Sequence, residues 1–324
     1  MATIANTTEE RLAPAEASQL AVTWNRFRKH RLGLMGMYLL LLLVLSCIII
    51  PMVSPFTFDA INDASQFQPA MTHSSTGLTH VLGTDEIGRD NFTRLFYAGR
   101  ISLVVGLLTT VFIVIIGTIV GALAGFYGGW VDTILMRFVD IMLSLPDLPI
   151  LLIMSKLLGD SGVMDNIFGK GLGTVATIIL VLTLFGWLQL SRLVRGSVLS
   201  LRGLDFVEAT RALGAGNRRI IMRHLMPNSL APIIVSATLA VGSFIIAESA
   251  LSFLGLGIQP PTPSWGNLLQ NGREYGAFIL QPNPFNEIRG YLLLFPGILI
   301  LLTVLSINFM GDALRDALDP RLKM

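Results

Sequence analysis

Six long apolar runs alternate with shorter polar segments along this chain, a pattern that predicts helices crossing a membrane. The runs cover roughly residues 32–53, 101–125, 131–155, 174–196, 229–256 and 290–310. Each approaches or exceeds the about 20 residues that a helix needs to traverse the hydrocarbon core. The third is the most polar, because "RFVDIMLSLPDLPILLIM" carries Arg137, Asp140, Asp147 and two prolines. Charged side chains at membrane depth face protein or a water-filled cavity, so this span is expected to face other helices. In the second run Gly117, Gly121, Gly125 and Gly129 recur every four residues. That spacing puts them on one helix face, where another helix can approach closely, and Gly128–Gly129 also falls where the chain must turn.

Composition agrees with the pattern. Of 324 residues, 52% are hydrophobic and 14% charged, well below the quarter charged that soluble domains carry. The fold class expected is an all-α integral membrane protein of six transmembrane helices. A net charge of +2 gives no basis for nucleic-acid binding, and a lone cysteine, Cys47, excludes a disulfide within the chain. His30, His73, His80 and His224 show no metal-ligand spacing with it, so no metal site is expected. The first apolar run, "LGLMGMYLLLLLVLSCIIIPMV", exceeds the length of a signal-peptide core and lacks an A-x-A cleavage pattern.

Lysine and arginine set the expected topology. With the N-terminus inside, six spans return the C-terminus inside, and the inside segments hold 16 basic residues against 7 outside. The inside set includes "RFRKHR" before the first span and seven arginines between Arg192 and Arg223. The positive-inside rule therefore favours both termini in the cytoplasm. The organisation expected is a tail over 1–31, the first helix and an extracytoplasmic segment over 32–99, a five-helix core over 100–312, and a second tail over 313–324.

Within that core, "EATRALGAGNRRIIMRHLMPNS" (208–229) is the least apolar long stretch of the chain's second half. Asp205 with Glu208 three residues later forms a capping-box pattern, and both acids fall at the positive end of a helix dipole. Gly214 then ends a short helix, and Gly216–Asn217 extend the turn. A second helical segment, "RRIIMRHLM", leads to Pro227 at the start of the next span. A basic loop that only fixes topology would need none of these offsets.

The spacing from Glu208 and Ala209 to Gly214 and on to Pro227, within residues 205–227, resembles the EAA loop of binding-protein-dependent ABC importer permeases. "HVLGTDEIGRDNFTRLFYAGRISL" (80–103) and "ESALSFLGLGIQPPTPSWGNLL" (248–269) look like the C-type permease of dipeptide and oligopeptide importers. Thr210 departs from the motif in place of an alanine, and His224 and Met226 stand where many members have isoleucine and leucine. The resemblance implies a type I importer permease in a bacterial cytoplasmic (inner) membrane. It further implies a coupling helix, involving Asp205, Glu208, Ala209, Thr210, Gly214, His224 and Pro227, that docks on a cytoplasmic ATPase. The partners it implies are a second homologous permease, two ATP-binding cassette subunits, an extracytoplasmic substrate-binding protein and membrane lipid. Nickel-chelate, glutathione and antimicrobial-peptide importers share the pattern, so the solute stays open between these and peptides.

No G-x-x-x-x-G-K-[ST] motif is present; "GKGLGT" at Gly169 lacks the hydroxyl after lysine. The chain itself needs no cofactor, and ATP with Mg would bind the partner ATPases. No nucleophile–base constellation supports an enzyme. Glu248 and Asp140 are candidates for lining a solute pathway, with hydrogen bonding to neighbouring helices as the alternative, and Arg137 is the expected partner of Asp140. The charge run Asp85, Glu86, Arg89, Asp90 and Arg94 is expected on a shaped turn, followed by an interfacial helix over "RDNFTRLFYAGR". Trp265 is expected at the membrane interface. A proton-coupled secondary transporter using Glu248 or Asp140 is the rival reading. It leaves the cytoplasmic helix unexplained, and the sequence shows no paired, internally repeated halves of the kind common in such carriers.

Overall fold

The computed structural model describes residues 19–61, 66–73, 77–276 and 291–318; the remainder of both expected tails and the region around 283 lie outside the described residues. Helix α1 (Gln19–Phe27) occupies part of the segment expected as the N-terminal tail. It is held there because Phe27 is buried with Ala313 and Ala317 of the last helix. Helix α2 (Arg31–Val53) follows, with the His30 ring nitrogen Nδ1 accepting from the Gly33 amide at 3.1 Å. A Cβ at Gly36 would stand 2.6 Å from the Ser306 carbonyl oxygen, so glycine lets α2 lie against α12 (Tyr291–Leu318).

A polar segment with two short antiparallel strands, β1 (Thr72–His73) and β2 (Thr79–His80), leads into helix α3 (Asn91–Tyr127). This helix has 37 residues, about 55 Å at 1.5 Å per residue, far more than a bilayer core requires. The separate interfacial helix expected over 89–100 is therefore absent, because its residues form the first turns of α3. Asp90 starts that helix by accepting from the Thr93 amide at 2.8 Å and the Thr93 hydroxyl at 2.7 Å.

The third span also differs from expectation. Residues 129–160 form two helices, α4 (Gly129–Leu143) and α5 (Asp147–Asp160), bent by 90° at the break between them. Pro146 drives its predecessor out of helical geometry and supplies no amide to continue the ladder. Among the described residues five helices are long and apolar enough to cross a membrane, or six if this bent pair counts as one.

Short helix α6 (Val163–Phe168) precedes α7 (Leu172–Arg202), which runs parallel to α3. A Cβ at Gly117 would lie 3.0 Å from the Trp187 carbonyl oxygen, at Gly121 2.4 Å from that of Ser191, and at Gly125 2.8 Å from that of Arg195. Three rungs of the glycine ladder thus seat α7 backbone to backbone on α3. Gly129 does not belong with them. Nothing lies within 4 Å of a Cβ there, and φ +54° marks it as part of the turn that follows Gly128. Arg202 at the end of α7 donates to the Phe126 carbonyl at 2.9 Å, closing the C-terminus of α3.

Helix α8 (Asp205–Ala212), α9 (Asn217–Ile220), a π turn (Ile221–Leu225) and α10 (Met226–Phe253) follow. The last three form one rod, so the second helical segment expected before Pro227 is a prolongation of the fifth span rather than a separate element. Pro227 cannot donate to the carbonyl four residues back. The Met226 amide reaches Ile221, five residues back, and the Asn228 side chain donates to the His224 carbonyl at 2.6 Å. Pro227 is accommodated by that π turn instead of breaking the helix. Helix α11 (Trp265–Gly276) lies after a loop, at the end of the bundle opposite α8.

Candidate functional site

The segment leaving α7 is built as a small projecting element with one buried side. Val207 on α8 is fully buried, with Ile220, Leu225, Phe126, Val194 and Val198 around it. Those apolar positions, isolated in a polar stretch, are what fix the angle of α8; the motif residues on its other faces do not. Asp205, Glu208 and Ala209 are exposed, and the Thr210 hydroxyl, half-buried, bonds the Phe206 carbonyl at 2.6 Å. The His224 ring lies 6.5 Å from that of Phe206, bridging α8 to the π turn.

The capping box is not formed. Leu204, in extended geometry, occupies the N-cap and α8 has no side-chain cap bond. Asp205 is therefore the first helical residue and Glu208 the fourth, where both act only as first-turn acids toward the dipole. The other end of α8 follows the expected chemistry closely. Gly214 has φ +82°, its amide donates to the Arg211 carbonyl at 2.9 Å, and the Ala215 amide donates to Thr210 at 3.2 Å. This is a Schellman closure, which needs the left-handed conformation that glycine adopts without steric cost. Leu213 beside it is 89% exposed, and Leu204, Phe206 and Met222 are also exposed. An apolar surface rimmed by Glu208, Arg211, Arg218 and Arg219 is suited to a partner protein.

At the opposite end of the bundle most of the charge run from Asp85 to Arg94 is buried rather than solvated. Asp85 accepts from Arg89 Nε at 2.6 Å, Arg89 also donates to Glu86 at 2.9 Å, and Arg94 donates to the Phe58 carbonyl at 3.1 Å. Burial, followed by the Asp85 charge, holds the Glu86 carboxyl above its usual range. His80 and Asp90 are bonded at 2.9 Å with both side chains almost wholly enclosed. The cover comes from residues 54–61, 66–73 and 77–90 folding back over the start of α3, which a local charge pattern does not reveal. Asp90 alone carried a local signal, as an acid directly before a helix start.

Glu248 is fully buried and accepts from Ser102 at 2.9 Å and Ser252 at 2.7 Å. Ser102 also accepts from the Trp265 amide at 3.2 Å, and Ser252 from the Ile258 amide at 3.1 Å. The carboxyl thus ties α3, α10, the loop after α10 and α11 together. Trp265 is buried, not interfacial, with its indole donating to the Leu95 carbonyl at 3.1 Å. Asp140 is half-exposed and paired with Arg192, not with Arg137, while Asp132 pairs with Arg195 at 2.6 Å. Both bridges pin α4 to α7. Glu248 is therefore a structural node in this chain.

Replacing Glu248 by Ala should strand the Ser102 and Ser252 hydroxyls and cost about 2–4 kcal/mol, while Glu248→Gln keeps an acceptor and costs less. Thermal denaturation of the purified protein measures this. Equal midpoints for Glu248→Ala and the parent protein would remove the structural role.

Comparison with known proteins extends these observations. Residues 117–324 match the family described as binding-protein-dependent transport system inner membrane component. Residues 18–70 match the N-terminal TM domain of oligopeptide transport permease C. The chain is similar to the dipeptide transport system permease protein DppC of Alkalihalophilus pseudofirmus, with 37% identity over 98% of this chain and 96% of that relative. The DppC protein of Bacillus subtilis is 39% identical, over 93% of this chain and 85% of its own length. A solved inward-facing structure of the MetNI methionine ABC transporter aligns with TM-score 0.52 and 21% identity, over 70% of this chain and 97% of that one. At that identity the likeness shows a shared fold.

Proposed function

The chain belongs to the family of binding-protein-dependent transport system inner membrane components, and from that premise we propose that it carries dipeptides and oligopeptides as the C-type permease of an ATP-driven importer. It is a multi-pass membrane subunit without enzymatic activity of its own. The observation that carries the proposal is the exposed, rigidly angled α8, whose buried Val207 joins it to α3 and α7. A rigid lever with an apolar, charge-rimmed tip transmits movement between a cytoplasmic motor and the bundle. The peptide permeases among its relatives favour peptides over nickel chelates or glutathione as solute.

In this reading Asp205, Glu208, Ala209, Thr210, Gly214, His224 and Pro227 shape the ATPase contact. Two ATP-binding cassette subunits, which bind ATP and Mg, dock there and on a second, homologous permease. An extracytoplasmic binding protein delivers solute at the other end, and lipid meets the exposed apolar faces. The chain divides into tails at 1–31 and 313–324, the first helix with its outer segment over 32–99, and the core over 100–312.

Both termini lie in the cytoplasm on this account. Cysteines at Gly216 and at exposed Val81, each in a Cys47→Ser background, test it. An impermeant thiol reagent added outside intact cells should label the position at 81 and spare that at 216. The reverse pattern would place α8 outside and end the coupling reading.

A further inference from the structure

A cavity of about 470 Å³ opens at the end of α7 remote from α8, enclosed by α5, α6, the start of α7 and the loop 255–261. Lys156, Asp160, Asp165 and Lys170 all line it. Among the described residues none of the four forms an ion pair within 4 Å, although Lys156 and Asp160 stand at the helical spacing that permits one. Asp165 is pressed against α7, where a Cβ at Gly173 would fall 2.1 Å from Oδ1. That oxygen is buried with no hydrogen-bond donor. A carboxyl oxygen left so is costly, and Asp165 would meet a cation in the cavity through its other oxygen.

The wall facing these charges is fixed. The Gln259 amide donates to the Gly255 and Gly257 carbonyls at 3.0 and 3.2 Å, and the Ser155 hydroxyl bonds the Leu256 carbonyl. Ile258 is held through Ser252 to Glu248. The volume is in the range of small-molecule sites, roughly 300–1,000 Å³. An extended dipeptide spans only about 7 Å, and it carries one ammonium and one carboxylate with nothing between them to neutralise either.

We propose that this cavity is a transit site for the peptide, with Lys156 and Lys170 receiving its terminal carboxylate and Asp160 and Asp165 its terminal ammonium. The inference rests on the peptide-importer reading above. Charge-assisted bonds are about twice as strong as neutral ones, so unpaired side chains of both signs favour zwitterions over neutral solutes.

The test uses the complete transporter, with its second permease, ATPases and binding protein, reconstituted in proteoliposomes and supplied with radiolabelled alanyl-alanine. The Lys156→Gln/Lys170→Gln pair should lower uptake about tenfold or more at equal amounts of assembled complex, mainly through a higher KM. Lys156→Arg/Lys170→Arg should recover most of it. Uptake by the Gln pair equal to that of the parent complex, or an Arg pair as impaired as the Gln pair, would overturn the transit site. A parent complex that carries no peptide at all would instead overturn the importer reading, and the site with it.

Discussion

Gly121→Val should prevent this chain from accumulating as a folded membrane protein. A Cβ at 121 would stand 2.4 Å from the Ser191 carbonyl oxygen and 2.7 Å from the Val194 Cβ. The first obstacle is backbone, which cannot rotate aside as a side-chain tip would. Relief requires α3 and α7 to separate along the contact that also includes Gly117 and Gly125. The same displacement disturbs Phe126, Val194 and Val198, the bed in which Val207 is buried. Overpacking of this kind costs about 3 kcal/mol or more. Gly196→Ala is the matched control, because no atom lies within 4 Å of a Cβ there. Detergent extraction followed by size-exclusion chromatography should show a monodisperse peak for Gly196→Ala and little or none for Gly121→Val. Equal peaks would mean that the helices are not in contact at these glycines.

Much of this architecture was legible because it is periodic. The apolar runs required membrane helices, and glycines spaced by four required a close neighbour on one face. The partner of that face was not legible, since nothing local singles out residues 187–198. Pro146 marked a weakness in the third span, but its 90° angle depends on what α4 and α5 pack against. Long-range pairing misled the reading of charge. Arg137 lies three residues from Asp140, yet the partner is Arg192, on another helix. The run Asp85 to Arg94 resembles a solvated face until residues 54–61 and 66–73 cover it. At α8 the error was one residue, and it changed the chemistry: with Leu204 at the cap, Asp205 falls inside the helix and no capping box can close. Gly214 was legible because a left-handed closure has few sequence solutions. Val207, Ile220 and Leu225 were the overlooked signal, apolar positions that a polar loop has no reason to carry.

Gly214→Val should uncouple transport while leaving the chain inserted and folded. With φ +82° the position suits glycine, tolerates asparagine and strains a β-branched residue by about 1–3 kcal/mol. Nothing lies within 4 Å of a Cβ at 214, so the core is spared and the strain falls on the Schellman closure. Relaxing it unwinds the last turn of α8 and displaces Leu213 and Arg211 at the tip. A shift in the proposed ATPase contact worth about 1.4 kcal/mol already lowers affinity tenfold. Glu208→Ala removes only a first-turn acid, about 0.3–1 kcal/mol, and should weaken coupling less than Gly214→Val. The most direct measurement is retention of the ATPase subunits on tagged permease carrying Gly, Asn or Val at 214, with peptide uptake recorded on the same preparations. The account predicts ATPase retained and peptide transported with Gly and largely with Asn, and both falling about tenfold or more with Val. Full retention and full uptake with Val at 214 would contradict the assignment of α8 as the coupling element.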